Sequence, residues 1–492
     1  MTVEPPQPPP TEVLLDWNAR TGVSRTTLTT HVWTAPPLRR DSPIHDKAFG
    51  ALRDLNADLA RFLPWYSHPR LAVPALTPPT TSETSWDFAL LDPFVEDFMN
   101  AAQGRPVVAD FATIPSWMFV TPEPVPVAED PGEIHWEYEQ GTELRDPTLN
   151  EVVDYFYRIA SWYIAGGFTD ELGRRHESGH HYRFAYWEVL CEPDMGHRIP
   201  PESYTRLYGA VVERLRPLDP EMKFIGLSLS PVAREPEYFW HFLDPANHAD
   251  GVAPDAISYH FYAFPEIVNP VSEHGNAPYE HWRGLFFAQA EAFLDQVRHI
   301  DAIRRRLAPA TRTFINEVGT YPPDLMNPAP TIPEEYWSLS AALQSYLWAR
   351  LVELGVDLVG IAEFMDYPGM IPGATLIDWD TGAPNARYRA LQLLLRHFAA
   401  GDSLVTTSSS VFGYPDNRIH AQGFVTVGGD RKLLLVNKTD EPVGVAITAQ
   451  DGRPGQVEQT GVGSGAAAPV RTPVRPGEPV VIDAFATAVV SF

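Results

Sequence analysis

Tyr186-Trp187-Glu188-Val189-Leu190-Cys191-Glu192-Pro193-Asp194 is the stretch on which the reading of this chain turns. Residues 186–190 read as a strand, and Pro193, with no backbone N–H to offer a ladder, stops it and holds Glu192 on the turn beyond. A second stretch, Phe314-Ile315-Asn316-Glu317-Val318-Gly319, repeats the arrangement, with a glutamate expected directly after an apolar strand.

Outward from these two, short apolar runs alternate with longer amphipathic ones. Strands are expected at 28–33, 61–65, 106–111, 186–190, 223–227, 256–260, 313–316 and 358–363. Helical patterns fall between them at 51–59, 91–102, 152–165, 204–215, 287–307 and 336–354. Eight β units alternating with helices, over more than the typical ~250 residues, predict an α/β fold: a (β/α)8 TIM barrel with inserted loops. A doubly wound open sheet would want a Gly-rich first turn, which this chain lacks. Residues 1–10 are Pro-rich and expected to be a disordered tail, and 11–398 are assigned to the barrel. Residues 399–492 are rich in Val, Thr, Gly and Pro and predict an all-β sandwich, to which the run 12–19 is a candidate extra strand.

The net charge of -26 with no basic run repels phosphate backbones and anionic lipid, so neither nucleic acid nor membrane is an expected partner. One cysteine, Cys191, permits no intramolecular disulfide and no cysteine–metal cluster. The first residues carry no basic n-region or apolar h-region, and the expected location is cytoplasmic. Thirteen Trp and nineteen Tyr exceed what packing requires and would suit sugar rings. The bland reading of such acidity is solubility alone.

In a barrel, chemistry sits where strands end, and strands four and seven face each other across the mouth. Two carboxyl groups placed there suit cleavage of a glycosidic bond with retention, which takes an acid for the leaving oxygen and a nucleophile about 5–5.5 Å away. The segment YWEVLCEPD resembles the strand-four signature W-E-x-x-N-E-P of the clan A glycoside hydrolases. More closely, WDFALLDPFVEDFMNAAQGRPVVADFATIPSWMF (86–119) and TLIDWDTGAPNARYRALQLL (375–394) resemble glycoside hydrolase family 39, the β-xylosidase and α-L-iduronidase family. That resemblance implies Glu192 as acid/base, Glu317 as nucleophile, and an accessory sandwich. Asp255-Ala256-Ile257-Ser258-Tyr259-His260-Phe261-Tyr262 resembles the clan's sixth strand, which implies that His260 and Tyr262 position nucleophile and sugar.

Two places depart from the pattern. Cys191 replaces the clan's asparagine, so a weak thiol donor stands where an amide would meet the sugar 2-hydroxyl, and a changed subsite around C2 is expected. Cys191 as a nucleophile would need a metal or a basic neighbour to lower its pKa. On the second strand the family pattern asks for an Arg and a His, whereas the chain reads Leu63-Pro64-Trp65-Tyr66-Ser67-His68, so glycone recognition does not carry over there. Trp65 and His68 are candidates for the pocket or for plain packing, and Trp117 for an aromatic platform at the mouth. The Pro- and Glu-rich insert 118–149 reads as a solvated loop, a pocket wall or a subunit contact, so a homo-oligomer is compatible.

His176-Glu177-Ser178-Gly179-His180 matches the zinc metallopeptidase motif H-E-x-x-H, which works when both imidazoles share one helix face. Gly179 and the run 173–175 argue against that helix. A third class is a sugar-binding barrel with little or no turnover. The reading taken forward is a retaining glycosidase, exo-acting on short β-linked glycosides, with an oligosaccharide or glycoside as its partner and no cofactor or metal required.

Overall fold

In the computed structural model, eight parallel strands close into a barrel: β1 Thr27–Trp33, β2 Ala60–Leu63, β3 Val107–Ala109, β4 Tyr186–Glu188, β5 Lys223–Leu229, β6 Ala256–Ala263, β7 Arg312–Thr320 and β8 Leu358–Ile361. The structure describes residues 9–127, 129–134, 142–230, 235–249, 252–266, 276–323, 327–449, 455–475 and 477–492; most of the expected tail, 1–8, and parts of the insert, 128 and 135–141, lie outside them. Each expected strand overlaps one barrel strand, because strands covered on both faces read as near-continuous apolar runs.

The strand interiors change character along the barrel axis. Val108, Tyr186, Ile225, Ala256, Phe314 and Leu358 form a separate apolar cluster, one residue from each of six strands. Two residues further along several of these strands the alternation brings Asp110, Glu188, Ser258 and Asn316, all buried, to the same side. Apolar packing therefore fills one end of the barrel, and the buried carboxyl groups gather toward the end where the strands stop. The outer surface of the barrel packs against helices such as Asp92–Ala102, Asn150–Ile164 and Tyr279–Leu307 within one extended apolar core.

Some boundaries move. β7 continues to Thr320, so Glu317 lies inside a strand, not directly after it; a register shift between Phe314 and Glu317 lets the strand run on past the glutamate. β4 ends at Glu188, and the chain turns through positive φ at Leu190 (66°) and Glu192 (48°) before Pro193. β2 ends at Leu63, because Pro64 offers no N–H to the ladder, so Trp65 leaves the sheet.

The second sheet places strand Thr11–Val23 between Ser403–Val411, antiparallel, and Val443–Ala449, parallel. Its alternation buries Val13, Leu15 and Trp17 with Val405, Leu433, Val445 and Val490 in a core distinct from the barrel's. Helix Glu334–Leu354 lies between the two units and is buried on nearly every face, with small residues at Ser338, Ala341, Ala342 and Ser345 admitting close neighbours. Ser345 Oγ meets Thr487 Oγ1 at 2.8 Å, and Trp348 stacks on Phe424 of the sandwich. Leu15→Ala removes a buried side chain from the sandwich core and is expected to lower its unfolding free energy by about 2–5 kcal/mol, measured from urea unfolding followed by fluorescence and circular dichroism.

Candidate active site

A single arginine organises the polar end of the barrel. Arg61, 1% exposed on β2, donates through Nε to Glu188 Oε2 at 2.5 Å and through Nη1 to Glu317 Oε1 and His31 Nδ1, the latter at 2.7 Å. Its Nη2 donates to Asp110 Oδ2, to Ser228 Oγ at 3.2 Å and to Cys191 Sγ at 3.3 Å. These six partners come from five different strands or strand ends. Parallel register brings them level: His31 lies beside Arg61 across β1 and β2, and Glu317 beside His260 across β7 and β6. Glu188 is further held by Asn316 Nδ2, 2.9 Å from each oxygen, and by the Ser258 hydroxyl.

Glu317 and Glu192 meet around one imidazole. His260 Nδ1 lies 2.8 Å from Glu192 Oε1 and 3.4 Å from Glu317 Oε2, while its Nε2 is 3.1 Å from Ser228 Oγ. Those two carboxylate oxygens therefore lie no further apart than the sum of the distances, roughly 6 Å, near the ~5–5.5 Å of a retaining pair and short of the ~6.5–9.5 Å of an inverting one. Tyr262 donates its hydroxyl to Glu317 Oε2 at 2.7 Å. The turn carrying Glu192 is pinned to the end of β5: Glu192 N donates to Ser228 O at 2.9 Å, and Asp194 accepts from Ser230 N and Oγ, both at 3.0 Å.

The two glutamates differ in what surrounds them. Burial pushes both upward. For Glu317, the charges of His260 and Arg61 and the Tyr262 hydrogen bond overcome burial and hold it well below the usual carboxylate range. Glu192 has the hydrogen bond and charge of His260 in its favour, but burial and the negative charge of Glu317 leave it raised. His260 is pulled down by burial, yet Glu317 and Glu192 carry it above its ordinary value. Burial takes His31 down to about 3, so its neutral Nδ1 is an acceptor for Arg61. The arrangement thus offers one carboxyl that keeps a proton and one that gives it up.

Cys191 lies at this centre, with Sγ 3.8 Å from Glu317 Oε1. Burial raises its thiol well above the ordinary value despite Arg61, so the basic neighbour a cysteine nucleophile needs is present but outweighed. Among the described residues, Cys191, His260 and Glu317 bring ligand-type atoms within 4.8 Å of one another and are the group that could hold a metal ion. Arg61 already donates to two of them, which sets a fixed cation against a second one.

The remaining candidates fall into two groups. Trp65 and His68 join an aromatic wall: Trp33 meets Trp65 edge-on at 5.5 Å and stacks on His68 at 5.8 Å, and Tyr367 Oη bonds His68 Nε2 at 2.6 Å. His68 Nδ1 faces the carbonyl of Glu133 at 3.0 Å, so the described part of the insert reaches over this wall. Burial takes His68 down to about 4, leaving it neutral and bonded on both nitrogens. Trp117 does not join the cluster: its Nε1 donates to Ala75 O at 2.7 Å and Arg145 sits over its ring at 4.5 Å. The H-E-x-x-H segment is not helical: His176 and Glu177 lie in strand Arg175–Glu177, paired with Gly167–Thr169. His176 Nε2 is bonded to Asp170 Oδ2 at 2.8 Å, and His180 stacks on Tyr163 and Tyr182, so the two imidazoles share no helix face.

Sequence reasoning missed Arg61, His31, Asp110 and Glu188, and it took Glu363 for a strand end. The arginine missing from residues 63–68 is supplied by Arg61, two positions upstream on the same strand. Glu363 is 3% exposed, and its Oε2 is buried without a hydrogen-bond partner among the described residues. Burial, with the charges of Glu317, Asp366 and Glu192, pushes its carboxyl well above the usual range.

No protein-family model matches the chain, and no curated protein matches it. Solved structures do. The family 51 arabinofuranosidase from Xanthomonas axonopodis pv. citri superposes with a TM-score of 0.67 at 13% identity, covering 98% of this chain and 99% of that one. The α-L-arabinofuranosidase from Thermotoga maritima gives 0.60 at 13%, and a glucosidase from Croceicoccus marinus 0.60 at 16%, each covering 98% of this chain and 99% of its own. These likenesses span both units of the chain.

A group whose folded-state pKa is raised keeps its proton after the unfolded chain has lost it, so stability falls as pH climbs above the unfolded value. Glu363→Gln removes that loss. Relative to wild type the variant is expected to gain stability between pH 5 and 8, by up to about 1.4 kcal/mol per pH unit, measured as the difference in apparent Tm at the two pH values. The buried charged and polar side chains of the strand ends thus converge on one centre, in a fold shared with solved structures named as arabinofuranosidases and a glucosidase.

Proposed function

We propose that the chain is a retaining O-glycoside hydrolase, and the observation that carries this is the placing of Glu192 and Glu317 together at Nδ1 of His260, with Arg61 and Tyr262 bonded to Glu317. Glu317, ionised, attacks the anomeric carbon. Glu192, protonated, gives its proton to the leaving oxygen, and once ionised takes one from the water that opens the glycosyl ester. Tyr262 orients Glu317, and His260 holds both carboxyl groups in place. Arg61 keeps Glu317 ionised before attack and loses part of that partnership as the ester forms, which favours release of the sugar in the second step.

Exo action on short glycosides is the reading we favour, supported by the wall of Trp33, Trp65, His68 and Tyr367 and by the contact of the insert's Glu133 with it. The motif resemblance to family 39 supports a β-xyloside, and the structural neighbours named arabinofuranosidases support an α-L-arabinofuranoside. Both offer a pentose glycone. A binder without turnover has no use for a split pair of carboxyl groups, which places that alternative second.

Hydrolysis of aryl β-D-xyloside, α-L-arabinofuranoside, β-D-glucoside, β-D-galactoside and β-D-glucosaminide decides the glycone, and proton NMR of the first-formed product is expected to show the anomeric configuration of the substrate. Glu317→Ala is expected to abolish turnover. Glu192→Ala is expected to lower kcat/KM by about 10²–10⁴, to lose the alkaline limb of the pH profile, and to form a glycosyl azide when azide is supplied. An inverted product, or full activity in Glu317→Ala, refutes the assignment.

Cys191→Asn places an amide where the clan's signature has one. On the preferred aryl pentoside it is expected to raise kcat/KM severalfold, whereas a 2-deoxy analogue of that substrate shows no gain.

A further inference from the structure

Apart from the catalytic centre, the loop after β8 and the start of helix Glu334–Leu354 enclose a cleft of about 280 Å³, closed on one side by Gly465 and Ala466 of the sandwich. Arg389 Nε holds that side in place through the Ala466 carbonyl at 3.0 Å. Helices Glu334–Leu354 and Ala386–His397 both begin here, so the cleft opens on the face of the barrel where the strands end, the face that carries Glu192 and Glu317.

Trp337 and Trp379 stand in the cleft, partly exposed, with ring centroids 6.5 Å apart and planes inclined at 64°. Among the described residues neither indole N–H has a hydrogen-bond partner, so both remain available as donors beside the cleft they line. Asp378 is fixed beside them: its Oδ1 accepts from Thr381 N at 2.7 Å and Thr381 Oγ1 at 2.6 Å, which leaves Oδ2 as an acceptor for a ligand. Aromatic faces, oriented donors and one immobilised acceptor make an amphipathic lining.

Charge narrows the occupant. No Lys, Arg or His lines the cleft, so a phosphate or carboxylate finds no counter-charge. The two helix N-termini do not supply one either. Asn385 caps the second, accepting from Arg387 N and Tyr388 N, and Glu334 and Glu335 occupy the first turn of the other. The acids therefore oppose an anion, and the indole N–H donors, which a cation does not use, suit a neutral hydroxylated ring. The volume suits a single ring of a few polar groups and excludes a macromolecule.

We infer that the Trp337–Trp379 cleft is a second saccharide-binding site, which stacks one neutral sugar ring and holds carbohydrate on the catalytic face without taking part in bond cleavage. The inference stands apart from the catalytic reading, since a barrel that bound sugar without turnover would use the cleft equally.

The test titrates xylotriose and arabinotriose into the Glu317→Gln protein by calorimetry. Binding to at least one trisaccharide is expected, with one class of sites weakened tenfold or more by adding Trp379→Ala and largely kept by Trp379→Tyr. Ala383→Arg, which fills the exposed rim of the cleft and touches no core residue, is expected to reproduce the loss should Trp379→Ala fold poorly. In otherwise wild-type protein both variants are expected to hydrolyse a small aryl glycoside within twofold of the parent. Trisaccharide binding that is indifferent to Trp379→Ala and Ala383→Arg, no trisaccharide binding at all, or binding of choline in place of sugar would each overturn the proposal. Absence of aryl glycoside turnover in the parent would count against the hydrolase reading alone, because the binding measurements do not depend on it.

Discussion

Everything at the polar end of the barrel depends on one buried cation. Arg61 faces three carboxyl groups, Glu188, Asp110 and Glu317, with all four side chains almost wholly removed from water. Breaking such a group by removing one partner leaves an uncompensated buried charge, which costs about 3–5 kcal/mol, whereas the intact group contributes little to stability over an apolar substitute. Its retention at the centre of a barrel is therefore explained by what it does to its neighbours. A planar guanidinium reaches strand ends on opposite sides of the mouth at once, which an ammonium on a single point of attachment does not.

The consequence is an unequal division of positive charge. Glu317 shares Arg61 with Glu188 and Asp110, and adds Tyr262 and His260; among the described residues the Glu192 carboxyl has His260 alone. Desolvation raises both, so it is this division that separates them. Two chemically identical side chains are thereby shifted in opposite directions, and the difference is set by strand order, since β2 lies across the barrel where Arg61 can reach β7.

The fold and the two glutamates were legible in the amino-acid sequence because they obey strong local rules. Strands buried on both faces leave continuous apolar runs, and Pro193 marks where one of them ends. Arg61, His31, Asp110 and Glu188 obey the same rule in reverse and were read past: each is a charged or titratable residue inside a buried barrel strand or at its end, as in Ala60-Arg61-Phe62 or Trp187-Glu188-Val189. In a strand with no solvent-facing side such a residue has to find partners inside the barrel. That signal was present on four strands, but which of them face one another is a matter of closure and register, not of any local window. The same limit explains Glu317, placed at a strand end by its neighbours and found inside β7 because of a register shift that sequence does not display.

Closure also concentrates backbone strain. Leu190 and Glu192 after β4 and Leu227 and Ser228 in β5 all take positive φ, between 47° and 78°, a conformation that non-glycine residues hold only when the surroundings over-determine it, at about 1–3 kcal/mol each. The surroundings here are visible. Glu192 N is bonded to Ser228 O, Asp194 to Ser230, and Tyr204 Oη accepts from Leu227 N, so the two strand ends are tied to one another at three points. The strain turns Ser228 Oγ toward Arg61 and His260 and sets Glu192 over the same imidazole as Glu317. A relaxed strand end would keep the alternation of β5 and point Ser228 away from the barrel axis. Arg61 and His260 would then each lose a partner, and the charge division on which the two glutamates depend would have to be held by fewer bonds.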